Sequence, residues 1–377
     1  MTQATPFPFD RDDHDAPRPK LRLVETAAPA PAPCEATCPA CGYHVAVPFL
    51  PRTEQPLATV AWPASAAAGA MAPLPLAFVC CVDCGHVFNA EFDYAKVPYS
   101  QKPNLMFNRG RLWAEHIDRT CDWLLERLPD APVVVEIGAG EGHLLRRMAQ
   151  RRLKARCIGF DPSGAMDTGG GLFEARTELF VPATHLAELH PDVVISRHVL
   201  EHLVNPLGFV QSIDFAASWS SIEAMLFIEV PCIDRVFETG RIADFYYEHN
   251  SHFTRRSFAR MLERSTAEVL HIDTAYNGEV VHGLARLGRR GHTVHHAQAA
   301  MQFAQRSARN REQVRAQLDA RVTAGTRIAI WGGTGKAAAF INYFGLDAQR
   351  FPLVLDSDPD KVGTFVPGSG QRIESRD

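Results

Sequence analysis

"VVVEIGAGEGHLL", residues 133–145, decides the fold. Consecutive β-branched valines favour a strand, glycines at 138, 140 and 142 follow it, and "HLL" opens a helical pattern. Gly138 and Gly140 let the backbone turn tightly and approach a ligand, and Gly142 allows close helix packing. The first turn of that helix presents unpaired N–H groups to the polar end of a cofactor. Nineteen residues beyond Gly142, Asp161 ends the next apolar run in "CIGFDPS", where a carboxylate can accept hydrogen bonds from both hydroxyls of a ribose. From residue 132 to about 290, short apolar runs ("PVVVEIG", "ARCIGFD", "DVVISRH", "AMLFIEVP") alternate with helical patterns. The alternation predicts an α/β fold, a parallel sheet covered by helices, and "AEVLHIDTAY" with "EVVHGLARL" predicts a closing hairpin.

On the N-terminal side, "CPACG" and "CVDCGH" form two Cys-x-x-Cys pairs with 39 residues between them. Thiolates of Cys38, Cys41, Cys81 and Cys84 at this spacing make a closed tetrahedral zinc site, structural because no coordination position remains for water. Six of the nine cysteines lie within 51 residues, which points to metal and not to cross-links and leaves Cys34 and Cys80 spare. Between the pairs, "TEQPLATVAWPASAAAGAMAPLPLAF" predicts a long loop. Residues 1–33 are rich in Pro, Ala and charge and predict a disordered lead-in, and "RLWAEHIDRTCDWLLERL" has the spacing of an amphipathic helix.

Residues 292–324 favour helix, and "WGGTGKAAAF" begins a second strand, turn, helix and strand unit that stops at "QRIESRD" after about one and a half crossovers. Lys336 lacks the spacing and the following Ser or Thr of a P-loop, which leaves either a helix N-terminus holding a diphosphate or a plain tight turn. The expected organisation is a lead-in over 1–33, a zinc-binding domain over 34–105, an α/β domain over 106–290, a helical connector over 291–326 and a partial C-terminal Rossmann-like domain over 327–377.

A chain of 377 residues has length for two or three domains, and its net charge of -4 lacks the basic footprint of a nucleic-acid binder. Its apolar runs fall short of the ~20 residues that span a bilayer. "MTQATPFPFDRDDHD" carries acids where a secretory signal carries a basic run, so the expectation is a cytoplasmic protein acting on a small molecule. The oligomeric state is not legible.

Glu136 and the spacing Glu-x-Gly-x-Gly-x-Gly resemble the S-adenosylmethionine (SAM) site of class I methyltransferases, not the Gly-x-Gly-x-x-Gly of dehydrogenases. "DVVISRHVLEHLVNP" looks like that family's fourth strand and following helix, with Ser196 and His198 beside the cofactor. "HVLEH" also fits the His-x-x-Glu-His pattern of inverted zinc proteases, in which His198 and His202 would share a helix face; its place after the fourth strand makes coincidence the better reading. A cysteine module, a SAM domain, "FYYEHNSHFT" (245–254) and a Rossmann-like end together are similar to bacterial sugar C-methyltransferases, which methylate nucleotide-linked ketosugars. The resemblance covers about 34–377 and carries that family's Tyr-x-Glu-His onto Tyr246, Glu248 and His249. It implies His249 as the base that forms an enolate, Glu248 as the residue orienting its ring, and Tyr246 as donor to the enolate oxygen. Two departures stand out: Tyr276, Asn277 and Gly278 replace His-Gly-Gly, and the acid expected after the third strand is not evident in "ELFVPATHL". An O- or N-methyltransferase of small molecules and a non-catalytic interaction protein with zinc and SAM folds are the alternatives.

Overall fold

The computed structural model describes residues 32–59, 69, 71–97, 110–288 and 291–376, so nearly all of the expected lead-in lies outside the described residues. Two compact units meet in sequence between Thr293 and Val294. In chain order the first contains β1 (Cys34–Glu35), β2 (Val45–Pro48), β3 (Thr53–Gln55), β4 (Leu74–Leu76), β5 (Phe78–Cys81), β6 (Val87–Asn89), α1 (Arg111–Leu125), β7 (Val133–Ile137), α2 (His143–Arg151) and β8 (Arg156–Phe160). It continues through β9 (Glu174–Arg176), α3 (Pro182–Leu189), β10 (Val193–Arg197), α4 (Pro206–Trp219), β11 (Met225–Pro231), α5 (Asp234–Thr239), β12 (Ser251–His252), α6 (Arg255–Ser265), β13 (Glu268–Ala275) and β14 (Val280–Arg286).

A seven-stranded sheet runs in the order β13-β14-β11-β10-β7-β8-β9, parallel from β11 to β9, with β14 antiparallel to both of its neighbours. Val134 and Val135 are fully buried, as expected of a strand covered by helices on both faces. Helix α2 buries Leu144, Leu145, Met148 and Ala149 and turns Arg147 and Arg151 outward to Asp118. The chain builds outward through β8 and β9, then returns across β7 to lay down β10. Strand order therefore reverses between β7 and β10, and the crevice beyond their carboxyl ends is where α/β sheets bind ligands.

Three sequence expectations change. The long loop between the cysteine pairs begins and ends in a ribbon, β3 antiparallel to β4 with Glu54 opposite Pro75; a two-stranded edge tolerates the missing proline N–H. The middle of that loop lies outside the described residues. Second, "HVLEH" is not helical: His198 adopts φ 54°, Leu200–His202 form a single 3-10 turn, and α4 starts only at Pro206, where the Asn205 side chain accepts the Gly208 N–H at 2.9 Å. His198 and His202 therefore share no helix face. Third, the cysteine module is not closed at residue 105, because its sheet runs β1-β2-β5-β6-β12 and takes its last strand from "FYYEHNSHFT".

The second unit contains most of α7 (Gly291–Thr323), followed by β15 (Ala329–Trp331), α8 (Lys336–Phe344), β16 (Leu353–Asp356) and β17 (Ile373–Ser375), whose strands pair in parallel in that order. Ile341, Phe344, Phe351, Val354 and Ile373 form its core. Among the described residues no helix is long and apolar enough to cross a membrane.

Gly142 joins fold to crevice. Its φ is 76°, and a Cβ there would lie 2.3 Å from the Phe173 ring. Gly142→Ala should cost about 2–4 kcal/mol through left-handed strain plus overpacking. A urea unfolding midpoint equal to that of the parent would contradict this packing.

Candidate active site and metal centre

A cavity of about 270 Å³ opens beyond β7 and β10, and Glu136, Gly138, Gly140, Asp161 and His198 stand on its wall. Glu136 is buried, its Oε2 has no hydrogen-bond partner, and burial pushes its pKa up to about 7. A buried acceptor left unmet is costly, and the ammonium at the amino-acid end of SAM is the kind of donor that would satisfy it. The Gly140 N–H donates to Asp161 Oδ2 at 2.8 Å, and the Ser163 N–H donates to Oδ1 at 2.9 Å. These bonds fix the carboxylate at the end of β8, and Oδ2 keeps a lone pair for a ribose hydroxyl. Glu178, Leu179 and Phe180 also line the cavity, so an acid does follow β9 in "ELFVPATHL".

Two residues expected beside the cofactor are not on the cavity wall. Ser196 is fully buried in β10 and absent from the wall, whereas its neighbour Arg197 lines the cavity, because successive strand residues point to opposite sides. Gly142 is likewise off the wall, and its part is the close approach of Phe173.

In the cysteine module, Cys38 and Cys84 have their Sγ atoms 3.7 Å apart, as do Cys41 and Cys81, and all four sulfurs lie within 4.8 Å of one another. A tetrahedral zinc with Zn–S bonds of ~2.3 Å sets its sulfurs roughly 3.8 Å apart, so this buried set fits the ion. The hydrogen bond shared with Cys38 lowers the Cys84 thiol to about 6, while the same bond and burial push Cys38 well up.

Tyr246, Glu248 and His249 arrive together on the segment before β12. The Tyr246 hydroxyl and His249 Nε2 share a hydrogen bond of 2.8 Å. Packing around the His249 ring holds its pKa well below the usual histidine value, and His202, His252 and His198 add to the effect. Neither residue lines the described cavity; His202 does, and its ring centroid lies 4.8 Å from that of His249. Glu201, His202 and His249 each bring one potential ligand atom within 4.8 Å of the others, but His249 Nε2 is engaged by Tyr246 and His202 Nδ1 by the Glu248 carbonyl. Each histidine of the trio is thus hydrogen-bonded to a residue outside it. Glu248 departs from the role expected of it: its Oε1 accepts the N–H groups of Ala58 and Thr59 at 2.7 and 2.6 Å, and the hydrogen bond to the His249 ring comes from Tyr246.

Residues 108–272 match the family model of a methyltransferase domain, and residues 277–377 match that of a C-methyltransferase C-terminal domain. Residues 108–272 therefore carry a methyltransferase domain. Similar solved structures include coclaurine N-methyltransferase bound to N-methylheliamine and S-adenosylhomocysteine (19% identity, TM-score 0.34, covering 45% of this chain and 54% of that one). Others are a SAM-dependent methyltransferase from Aquifex aeolicus (14%, 0.36, 52% and 99%) and an O-methyltransferase family protein from Burkholderia thailandensis (15%, 0.33, 47% and 58%). The chain thus spans little more than half the length of the first and last of these. No match to a curated protein was found.

Beside the cavity the domain holds a buried charge cluster that the sequence did not disclose. Glu229, in the middle of β11, accepts from Arg197 at 2.7 Å through Oε1, meets His116 at 2.8 Å through Oε2, and lies 3.2 Å from His198 Nε2. Burial opposes its charge, yet Arg197 and His116 outweigh burial and hold the carboxyl well below its ordinary range. The indole of Trp113 covers this cluster, with ring centroids 5.1 Å from Tyr276 and 5.5 Å from His198. "FIEVP" offered one signal, a lone acid inside an apolar strand, which demands a buried partner.

Asp161→Ala should weaken SAM binding about ten- to a hundredfold, the loss of one charge-assisted contact of ~1.5–3 kcal/mol. Calorimetry giving an unchanged Kd would remove Asp161 from the site. The four-thiol geometry leads us to expect one tightly held zinc per chain. Its loss withdraws ~10 kcal/mol or more of folding free energy, so Cys38→Ser or Cys84→Ser should yield insoluble or protease-sensitive protein. Elemental analysis without stoichiometric zinc would refute this.

Proposed function

We propose that the methyltransferase transfers the methyl of SAM to a carbon beside the ketone of a nucleotide-linked ketosugar, with a structural zinc in its N-terminal module. The observation that carries the reading is the Tyr246 hydroxyl bonded to His249 at 2.8 Å, one ring away from the cavity wall at His202. Oxygen and nitrogen acceptors need little more than a nearby base. A carbon beside a ketone must first lose a proton, and that calls for a base and an oxyanion donor together. The match to a C-methyltransferase C-terminal domain supports the same choice.

His249 accepts the α-proton while the C–H electron pair becomes the enolate C=C bond and the carbonyl π pair moves to the ketone oxygen. Tyr246 turns its hydroxyl from the ring to that oxygen, which frees the ring nitrogen for the proton. SAM held by Glu136 and Asp161 would supply a methyl made electrophilic by its positive sulfur, to which the enolate carbon would bond as the C–S pair stayed on sulfur. The imidazolium then releases its proton to solvent. Glu136, Asp161 and Glu178 place acids around the cavity, which favours a cationic cofactor over the neutral thioether left behind.

The substrate's α-proton should exchange with deuterated water even when S-adenosylhomocysteine replaces SAM. His249→Ala should abolish exchange, and Tyr246→Phe should slow it about ten- to a thousandfold, as loss of an oxyanion donor does. A base whose pKa lies below the ordinary 6.5 stays neutral as pH falls through that value, so exchange should persist there and fail only at lower pH. Undiminished exchange in His249→Ala would eliminate the enolate mechanism.

A further inference from the structure

We infer that Glu248 is a positioning residue, whose carboxylate clasps residues 58–59 of the N-terminal module to the segment carrying Tyr246 and His249. The inference rests on the proposed role of His249. Glu248 is fully buried, and one oxygen, Oε1, receives two consecutive backbone donors, Ala58 N–H at 2.7 Å and Thr59 N–H at 2.6 Å, with the Thr59 hydroxyl at 3.3 Å. Convergent amides are how proteins compensate a desolvated carboxylate, and hydrogen bonds to an ionised acceptor are the strong ones.

The flanking residues are tied to the same module. Tyr247 accepts the Asp93 N–H on its hydroxyl at 2.9 Å, the Asn250 carbonyl accepts the Asn89 N–H at 3.0 Å, and Ser251 and His252 pair with Phe88 and Val87. Tyr246 and His249 are the members of the segment that turn toward each other, and the His249 ring meets that of His202. The Glu248 carbonyl in turn accepts from His202 Nδ1 at 2.8 Å, so one residue fixes the loop with its side chain and the second histidine with its backbone. Glu248 thus acts on the reaction through the placement of its neighbours.

Glu248→Gln keeps an acceptor oxygen and the shape but loses the charge; Glu248→Ala loses the acceptor. Residue-resolved hydrogen exchange at Ala58 and Thr59, kcat/KM and its pH profile, and SAM Kd should be measured on the full chain. For Glu248→Ala we expect amide exchange at 58–59 to rise at least about tenfold and kcat/KM to fall at least about tenfold, with SAM Kd within about twofold of the parent. Glu248→Gln should restore most of the amide protection and at least about a third of kcat/KM, with the acid limb of the pH profile unmoved. Thr59→Pro, which deletes both Thr59 donors, N–H and hydroxyl, without touching Glu248, should reproduce part of the loss even where Glu248→Ala does not fold. A Glu248→Gln variant with protected amides but the inactivity of Glu248→Ala, or with a shifted acid limb, would overturn the proposal by putting the carboxylate into the chemistry. Amide protection is read without turnover, so a failure of the clasp stays distinct from a failure of the His249 mechanism.

Discussion

Four thiols buried within 4.8 Å of one another constrain everything built on them. Their sulfurs pair at 3.7 Å, the spacing that a shared tetrahedral ion sets, and four ionised thiolates there would need a counter-charge. A divalent cation at their centre would join the two knuckles into one rigid object. The knuckles lie between β1 and β2 and between β5 and β6 of one sheet, and β6 carries β12. The module is also joined to the methyltransferase fold where the Leu207 N–H donates to the Pro39 carbonyl at 3.1 Å and where Arg264 bonds the Cys41 carbonyl. The segment holding Tyr246 and His249 is thereby gripped by a domain that precedes it by some 150 residues in sequence.

The second organising element is the buried carboxylate of Glu229. Burying an ion is expensive, and a cluster of Arg197, His116 and His198 offsets that cost only with near-ideal geometry. Specificity of placement is what such a cluster provides. Arg197 and His198 leave the end of β10 at a φ of 54° for His198, a strained exit held by the carboxylate on the neighbouring strand. The cofactor wall and the cluster therefore share residues, and a change in one is felt in the other.

Sequence patterns disclosed what is local and missed what is long-range. The glycine turn and Asp161 were legible because a strand, a tight turn and a helix cradling a nucleoside need those residue types within 30 positions. The paired cysteines were legible because knuckle geometry fixes their spacing. Strand alternation puts Arg197 and not Ser196 on the cavity wall, a one-residue difference that the motif does not resolve. The helix after β10 was misjudged because Asn205 and Pro206 move its start past "HVLEH". The partners of Glu229 lie as far away as His116, and those of Glu248 lie in a Pro- and Ala-rich stretch that reads as filler. Neither pairing has a period or a motif, since each exists only once the chain has folded.

The central claim is that a carbon, not a heteroatom, receives the methyl. The most direct measurement is carbon-13 NMR, with mass spectrometry, of the product formed from methyl-labelled SAM and a panel of nucleotide-linked ketosugars. The account requires a product heavier by one methyl, whose labelled signal has the shift of a methyl on carbon and correlates directly with the ring carbon beside the ketone. A labelled methyl on oxygen or nitrogen would contradict it.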